Sequence, residues 1–176
     1  GDLAHQTSLD NSTMTHIDSV FDFGNNTTLW ALGNHDYSDL GRVQKFTNRP
    51  PYYATHRNGI TVIVLDTQDS LSNIIGSQKA FFEGVVDTLK ESSHLVILHH
   101  KLIWILLEVR GKGIEVVCVG GDIGFHVNKF EHITSDGIHL LASGVSYEAS
   151  ENKALLFYHD ESKQELTWEY KLTNEL

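Results

Sequence analysis

The stretch that decides the fold is Trp30-Ala31-Leu32-Gly33-Asn34-His35-Asp36. It closes a short run, residues 27–32, that is rich in β-branched and aromatic side chains and bounded by two asparagines and a glycine. These features predict a buried strand. The glycine is expected to turn the backbone off the strand end, which leaves an amide, an imidazole and a carboxylate in a loop of the kind that carries sites in α/β proteins. An ordinary polar turn is the alternative for these four residues alone.

The rest of the sequence predicts one mixed α/β domain. Apolar residues recur at helical spacing in residues 12–23, 39–46 and 77–91, with Ser77 as the N-cap of the third helix. Runs at 52–55 and 60–66 flank Asn58-Gly59, the strongest short hairpin signal. Buried strands are expected at 94–98 and 114–119, and further hairpins at 128–142 and 154–172. No internal repeat or linker interrupts the chain, so we expect a single domain over residues 1–176.

Composition limits the classes of function. The 176 residues are 40% apolar, yet no apolar run approaches the roughly 20 residues that a membrane-spanning helix needs. The formal charge of −10 argues against a nucleic-acid partner, and a small anionic substrate would need a local cation that metal ions can supply. Histidine, the commonest metal ligand, occurs 11 times. Cys118 is the single cysteine, which excludes an intrachain disulfide and a cysteine-based zinc site.

Polar residues of metal-binding type follow four predicted strands. They are Asp2, Asn34-His35-Asp36, His99-His100, and Asp122 with His126. Adjacent strand ends of one sheet can converge, so we expect these side chains to meet at one edge. Oxygen donors mixed with imidazole suit Zn, Mn or Fe better than Ca or a thiolate site.

The order of these motifs resembles that of the calcineurin-like metallophosphoesterases. Gly1-Asp2, Gly33-Asn34-His35-Asp36, His99-His100 and Gly121-Asp122-Ile123-Gly124 follow the sequence of that family's Gly-Asp, Gly-Asn-His-Asp/Glu, later His and Gly-His-x-His motifs. The resemblance covers nearly the whole chain. It implies an α/β sandwich of two packed mixed β-sheets flanked by helices, two divalent transition-metal ions (Mn, Zn or Fe), and hydrolysis of a phosphomonoester or phosphodiester.

The resemblance also implies which residues hold the metals. Asp2 would bridge the two ions, and Asn34 would bind the second ion and face the phosphate. His99 would be a further ligand of the second ion, whereas we place His100 outside the group of ligands. Asp122 would stand where the family has the first histidine of its last motif.

The same comparison implies the catalytic roles. His35 would donate a hydrogen bond or a proton to phosphate oxygens, and Asp36 would hold the His35 ring in the useful tautomer. Two cations about 3.5–4 Å apart can clamp a phosphate and activate a bridging hydroxide, which leaves His35 to assist the leaving oxygen. We therefore expect the enzyme to form no covalent intermediate.

Two departures from the family pattern qualify this interpretation. The Asp-x-His motif that supplies the first metal site is absent, so we expect the chain to begin inside its domain, after the first strand. The last motif has Asp122 where the family has histidine, and Gly124, which cannot bind a metal, in the second position. His126 is an alternative ligand two residues later, ranked below Asp122.

Two other functions stay open at this stage. One alternative is an inactive phosphoesterase-like domain that binds or scaffolds. The other is a mononuclear metal hydrolase using Asn34, His99 and Asp122 with Asp2. The expected partner is a small phosphoester. The sequence leaves oligomeric state and localisation open.

Overall fold

A computed structural model describes Asp2 and residues 11–68, 74–89, 94–101, 113–122, 129–143 and 152–176. Its helices are α1 (Ser12–Phe21), α2 (Leu40–Thr47) and α3 (Gly76–Asp87), with short 3-10 helices at Asp36–Asp39 and Thr173–Glu175. Its strands are β1 (Tyr53–Arg57), β2 (Ile60–Val64), β3 (His94–Lys101), β4 (Glu115–Asp122), β5 (Phe130–Ile133), β6 (His139–Ala142), β7 (Lys153–Asp160) and β8 (Glu165–Leu172). The architecture is therefore mixed α/β.

Six strands form one mixed sheet in the order β1-β2-β3-β4-β6-β5. The central strands β2, β3, β4 and β6 are parallel, and β1 and β5 are antiparallel edge strands. The other two strands, β7 and β8, form an antiparallel pair. In the described ranges the larger sheet is mixed and the smaller one is antiparallel. The parallel core brings four carboxyl strand ends to one edge.

All three predicted hairpins are confirmed. Asn58 and Gly59 connect β1 to β2 with φ angles of 52° and 79°. Positive φ at both central positions defines a two-residue turn whose twist matches that of the strands, and asparagine and glycine reach that conformation at low cost. The hairpins β5–β6 and β7–β8 form at the remaining two places.

The two faces of the larger sheet pack against different partners because side chains alternate along each strand. One face packs on α3, through Ile63, Leu95, Ile97 and Cys118 against Phe82 and Val86. The opposite face packs on the two-stranded sheet, through Val96, Val117 and Leu141 against Leu155, Leu166 and Trp168. The sheet core therefore lies between α3 and the β7–β8 pair.

The run at residues 27–32 is not a strand. The Trp30 N–H donates to the Tyr53 hydroxyl at 2.8 Å, and that hydroxyl donates back to the Trp30 carbonyl at 3.3 Å. One tyrosine side chain thus satisfies the backbone groups that a neighbouring strand would otherwise pair. Trp30 and Leu32 are still buried, in a separate cluster with Met14, Ile17, Phe23 and Val43.

The helix boundaries differ from prediction by a few residues. α1 ends at Phe21, where Asp22 takes a left-handed φ of 50°, so the helix stops before the expected Gly24. The N-cap of α3 is Ile75, without a side-chain cap, which makes the prediction of Ser77 as N-cap wrong. Among the described helices, none has the length and apolar character needed to cross a membrane.

Candidate active site

The candidate site lies at the carboxyl ends of the parallel strands. In the β3–β4 register, His99 faces Gly120 and Lys101 faces Asp122, so His100 and Asp122 end neighbouring strands. A Cβ on Gly121 would lie 3.2 Å from His100 Nδ1. The glycine therefore leaves room for the His100 ring beside β4.

Three of the predicted side chains meet around His100. The His100 Nε2 atom lies 3.1 Å from Asn34 Oδ1, 3.1 Å from Asp2 Oδ2 and 3.8 Å from Asp122 Oδ2. All three neighbours are acceptors, so the ring carries its proton on Nε2. Burial lowers the pKa of His100, and the carboxylates, chiefly Asp2, oppose that shift only in part. We call Asp2, Asn34, His100 and Asp122 the donor group.

His99 does not take the position predicted for it. Successive residues of a strand point to opposite faces, so His99 and His100 diverge. His99 Nδ1 donates to the carbonyl of Lys101 at 2.8 Å, and no described hydrogen bond joins His99 to the donor group. Burial lowers the pKa of His99 to about 4, against the raising effect of that hydrogen bond. His100, which we had placed outside the ligands, contributes the imidazole instead of His99.

Asp2 is tied to the loop of residues 33–36. Its Oδ1 atom accepts a hydrogen bond from the His35 N–H at 2.8 Å, and its own φ is 60°. A Cβ on Gly33 would lie only 2.0 Å from Asp2 Oδ1 and 2.8 Å from the Asp2 nitrogen. Gly33 has no positive φ, so its role is to give Asp2 space and not to supply the turn we predicted.

Asp36 holds the backbone of the loop and not the His35 ring. The side chain is fully buried, and its Oδ2 atom accepts from the Gly33 N–H at 2.7 Å and from the Asp2 N–H and Trp30 Nε1 at 3.3 Å each. Oδ1 has no hydrogen-bond partner in the described part of the chain. The expectation that Asp36 orients His35 is therefore wrong, because Asp36 points inward while His35 is half-exposed.

Two functional candidates escaped the sequence analysis. Tyr37 donates its hydroxyl proton to Asp66 Oδ2, which links the 33–36 loop to the end of β2. Asp66 directly follows a buried apolar run, the same signal that singled out the other strand-end residues. The sequence therefore contained a signal for Asp66, whereas none was available for Tyr37.

The donor group contains the atom types that ligate metals, but its side chains do not point at one common position. Oxygen and imidazole donors suit a divalent transition metal. However, within the ranges that the structure describes, no group of three or more His, Cys, Asp or Glu side chains is arranged to hold a metal ion. As they stand, Asp2 and Asn34 bond to the His100 imidazole itself. His126 lies outside the described residues.

No family model matches this chain, and no curated protein matches it either.

Proposed function

We propose that this chain is a metal-dependent hydrolase of small phosphoesters, of the calcineurin-like type. The observation that carries the proposal is the meeting of Asp2, Asn34 and Asp122 around His100, because these residues come from four separate parts of the sequence. Their order along the chain is that of the family's motifs, with His100 in place of His99.

Charge supports the need for a cation. Asp2, Asp36 and Asp122 bring three carboxylates to the site, and the chain carries a formal charge of −10. Burial lowers the pKa of His100, which disfavours a positive charge on the ring, so these side chains alone offer little attraction to an anionic phosphate. A divalent cation would offset most of this negative charge and polarise a phosphoryl oxygen.

His35 is the proposed proton donor to the leaving oxygen. It lies beside Asn34, its side chain is half-exposed, and its backbone N–H is held by Asp2 at 2.8 Å. Its carbonyl accepts from the Ser38 hydroxyl at 2.8 Å and from the Ser38 N–H at 3.2 Å. The loop thus fixes the His35 backbone next to Asn34.

The test is turnover of p-nitrophenyl phosphate and bis(p-nitrophenyl) phosphate by the full chain, before and after removal of metal by EDTA. We expect Mn²⁺ or Zn²⁺ to restore hydrolysis to the stripped protein. Replacing His35 with alanine should lower kcat by about 100-fold or more, since proton transfer alone contributes that much. Replacing His100 with alanine should also lower kcat, because the donor group loses the ring around which it meets. His132→Ala, an exposed histidine of β5, is the matched control and should behave as wild type.

Two results would contradict the proposal. Absence of turnover with Mn²⁺, Zn²⁺ or Fe²⁺ would remove the hydrolase assignment, and full activity of His35→Ala would remove the role of His35. The second candidate function is a binding domain of the same fold, favoured by the absence of a metal-holding group among the described side chains. That function predicts phosphate or metal binding by calorimetry without turnover.

A further inference from the structure

The 33–36 loop is a stiff unit. Asp36 N–H bonds to the Gly33 carbonyl at 3.2 Å, Asp36 Oδ2 accepts from the Gly33 N–H at 2.7 Å, and Ser38 closes on the His35 carbonyl. The following 3-10 helix begins at Asp36 and carries Tyr37 in its first turn. A displacement of Tyr37 should therefore also displace Asn34 and His35.

The end of β2 is an equally firm anchor. The buried Gln78 side chain of α3 bonds to both backbone groups of Asp66, at 2.8 and 3.0 Å, and Asp66 Oδ1 accepts from the Gln68 N–H at 3.0 Å. The next residue, Thr67, is fully buried and accepts from the Lys101 N–H at 2.9 Å. The segment after β2 is thus also hydrogen-bonded to β3, at Lys101, the residue that follows His100.

The Tyr37–Asp66 hydrogen bond joins these two units. Tyr37 is 40% exposed, and its hydroxyl donates to Asp66 Oδ2 across the gap between the loop and the end of β2. The bond lies outside the donor group, in which the Asn34–His100 contact otherwise ties the loop to β3. Loss of the hydroxyl should let the loop move relative to β3 while leaving the core unchanged.

We propose that Tyr37 and Asp66 are a positioning pair that sets Asn34 and His35 against His100. The pair does not touch the reacting atoms. The expected effect of the pair on kcat rests on the proposed hydrolase function, whereas its expected effect on the position of the loop does not.

Two arms test the proposal on the full chain. In the kinetic arm, Tyr37→Phe should lower kcat about tenfold or more and change KM by less than about threefold, because small misplacements act mainly on the reacting geometry. Asp66→Asn keeps an acceptor oxygen and should retain most activity, whereas Asp66→Ala should match Tyr37→Phe. The double variant should be no worse than either single one, because both remove the same bond.

The structural arm uses the histidine ring signals in NMR spectra, with the His100 signal assigned from His100→Gln. Tyr37→Phe should shift the His100 signal. The matched control is Tyr158→Phe, which removes a comparable tyrosine–carboxylate bond to Glu169 on the two-stranded sheet. It should change neither the ring signal nor kcat.

The outcomes separate the two proposals. An inactive wild type with a shifted His100 signal in Tyr37→Phe overturns the hydrolase and keeps the positioning pair. An active wild type whose kcat and ring signals survive Tyr37→Phe overturns the pair and keeps the hydrolase. Equal effects of Tyr37→Phe and Tyr158→Phe would also overturn the pair, because they would indicate a general structural cost.

Discussion

At the scale of single residues, the site depends on close approach. Gly33 is required because Asp2 occupies the space of a side chain, and a Cβ on Gly121 would be a tight contact at 3.2 Å from His100 Nδ1. The buried carboxylate of Asp36 accepts hydrogen bonds from three N–H groups, two of them in the backbone, and so holds the loop in place. The position of the loop is thus set by close backbone contacts and by one buried carboxylate.

The first prediction concerns Gly33→Ala. The added Cβ would lie 2.0 Å from Asp2 Oδ1, so Asp2 must move away from His35 and His100. We expect kcat/KM to fall roughly 100-fold and the free energy of unfolding to fall by about 1–3 kcal/mol. Urea unfolding and the phosphodiester assay measure both quantities.

Gly24→Ala is the control for this substitution. A Cβ at Gly24 meets nothing within 4 Å, and its φ is not positive. Its unfolding free energy and activity should stay close to wild type. Equal behaviour of the two variants would show that Asp2 does not depend on the space at Gly33.

At the scale of elements, β3 and β4 combine a buried middle with a polar end. Because side chains alternate along β3, His99 and His100 point to opposite faces. His99 bonds to the backbone carbonyl of Lys101, and His100 belongs to the donor group. On β4, Cys118 is buried on the face toward α3, and burial raises the pKa of its thiol to about 12. The buried middle of the strand thus disfavours a charged side chain.

That shift predicts a loss of stability in alkali. The unfolded thiol, with an ordinary pKa near 9, releases its proton at a pH where the folded thiol retains it. The contribution of Cys118 is therefore complete below about pH 9 and is lost as pH rises toward 12, by about 1.4 kcal/mol per pH unit. At pH 10 the wild type should lose about 1.4 kcal/mol more than Cys118→Ala, each relative to its own value at pH 7. Urea unfolding of both proteins at the two pH values is the measurement, and parallel losses would contradict the prediction.

At the scale of the whole molecule, three layers position the site. α3 covers one face of the six-stranded sheet and the β7–β8 pair covers the other, so both faces of β3 and β4 are packed. The site lies at the one edge where the parallel strands end. Packing of both faces therefore fixes the strand ends that carry His100 and Asp122.

Leu166 tests the layer formed by β7 and β8. Its side chain is buried against Val96, Val117 and Leu141 of the larger sheet. Leu166→Ala should lower the free energy of unfolding by about 2–5 kcal/mol through lost burial and the cavity that remains. Thr167→Ala, at the next and exposed position of the same strand, should cost at most about 1 kcal/mol. Similar losses in the two variants would mean that the β7–β8 pair does not pack on the sheet as described.

The sequence by itself determined the local elements. Helical periodicity placed α1, α2 and α3 within a few residues, and Asn58-Gly59 determined the β1–β2 turn because those residues accept positive φ. It also identified Asp2, Asn34 and Asp122 as residues that meet, because strand ends of a parallel sheet share an edge. Propensity failed at residues 27–32, where the Tyr53 hydroxyl from a distant strand replaces a strand partner.

Only the tertiary structure decided which of two adjacent histidines faces the site. Neighbouring side chains of a strand point to opposite faces, and the sequence does not state which face carries the donor group. The prediction therefore chose His99, whereas His100 is the histidine on that face. It also decided that Asp36 supports the loop backbone and that Tyr37 reaches Asp66, since both contacts depend on where the loop lies against the sheet. Local pattern sets the elements because it acts through neighbouring residues, whereas side-chain direction at the site follows from packing between elements far apart in the chain.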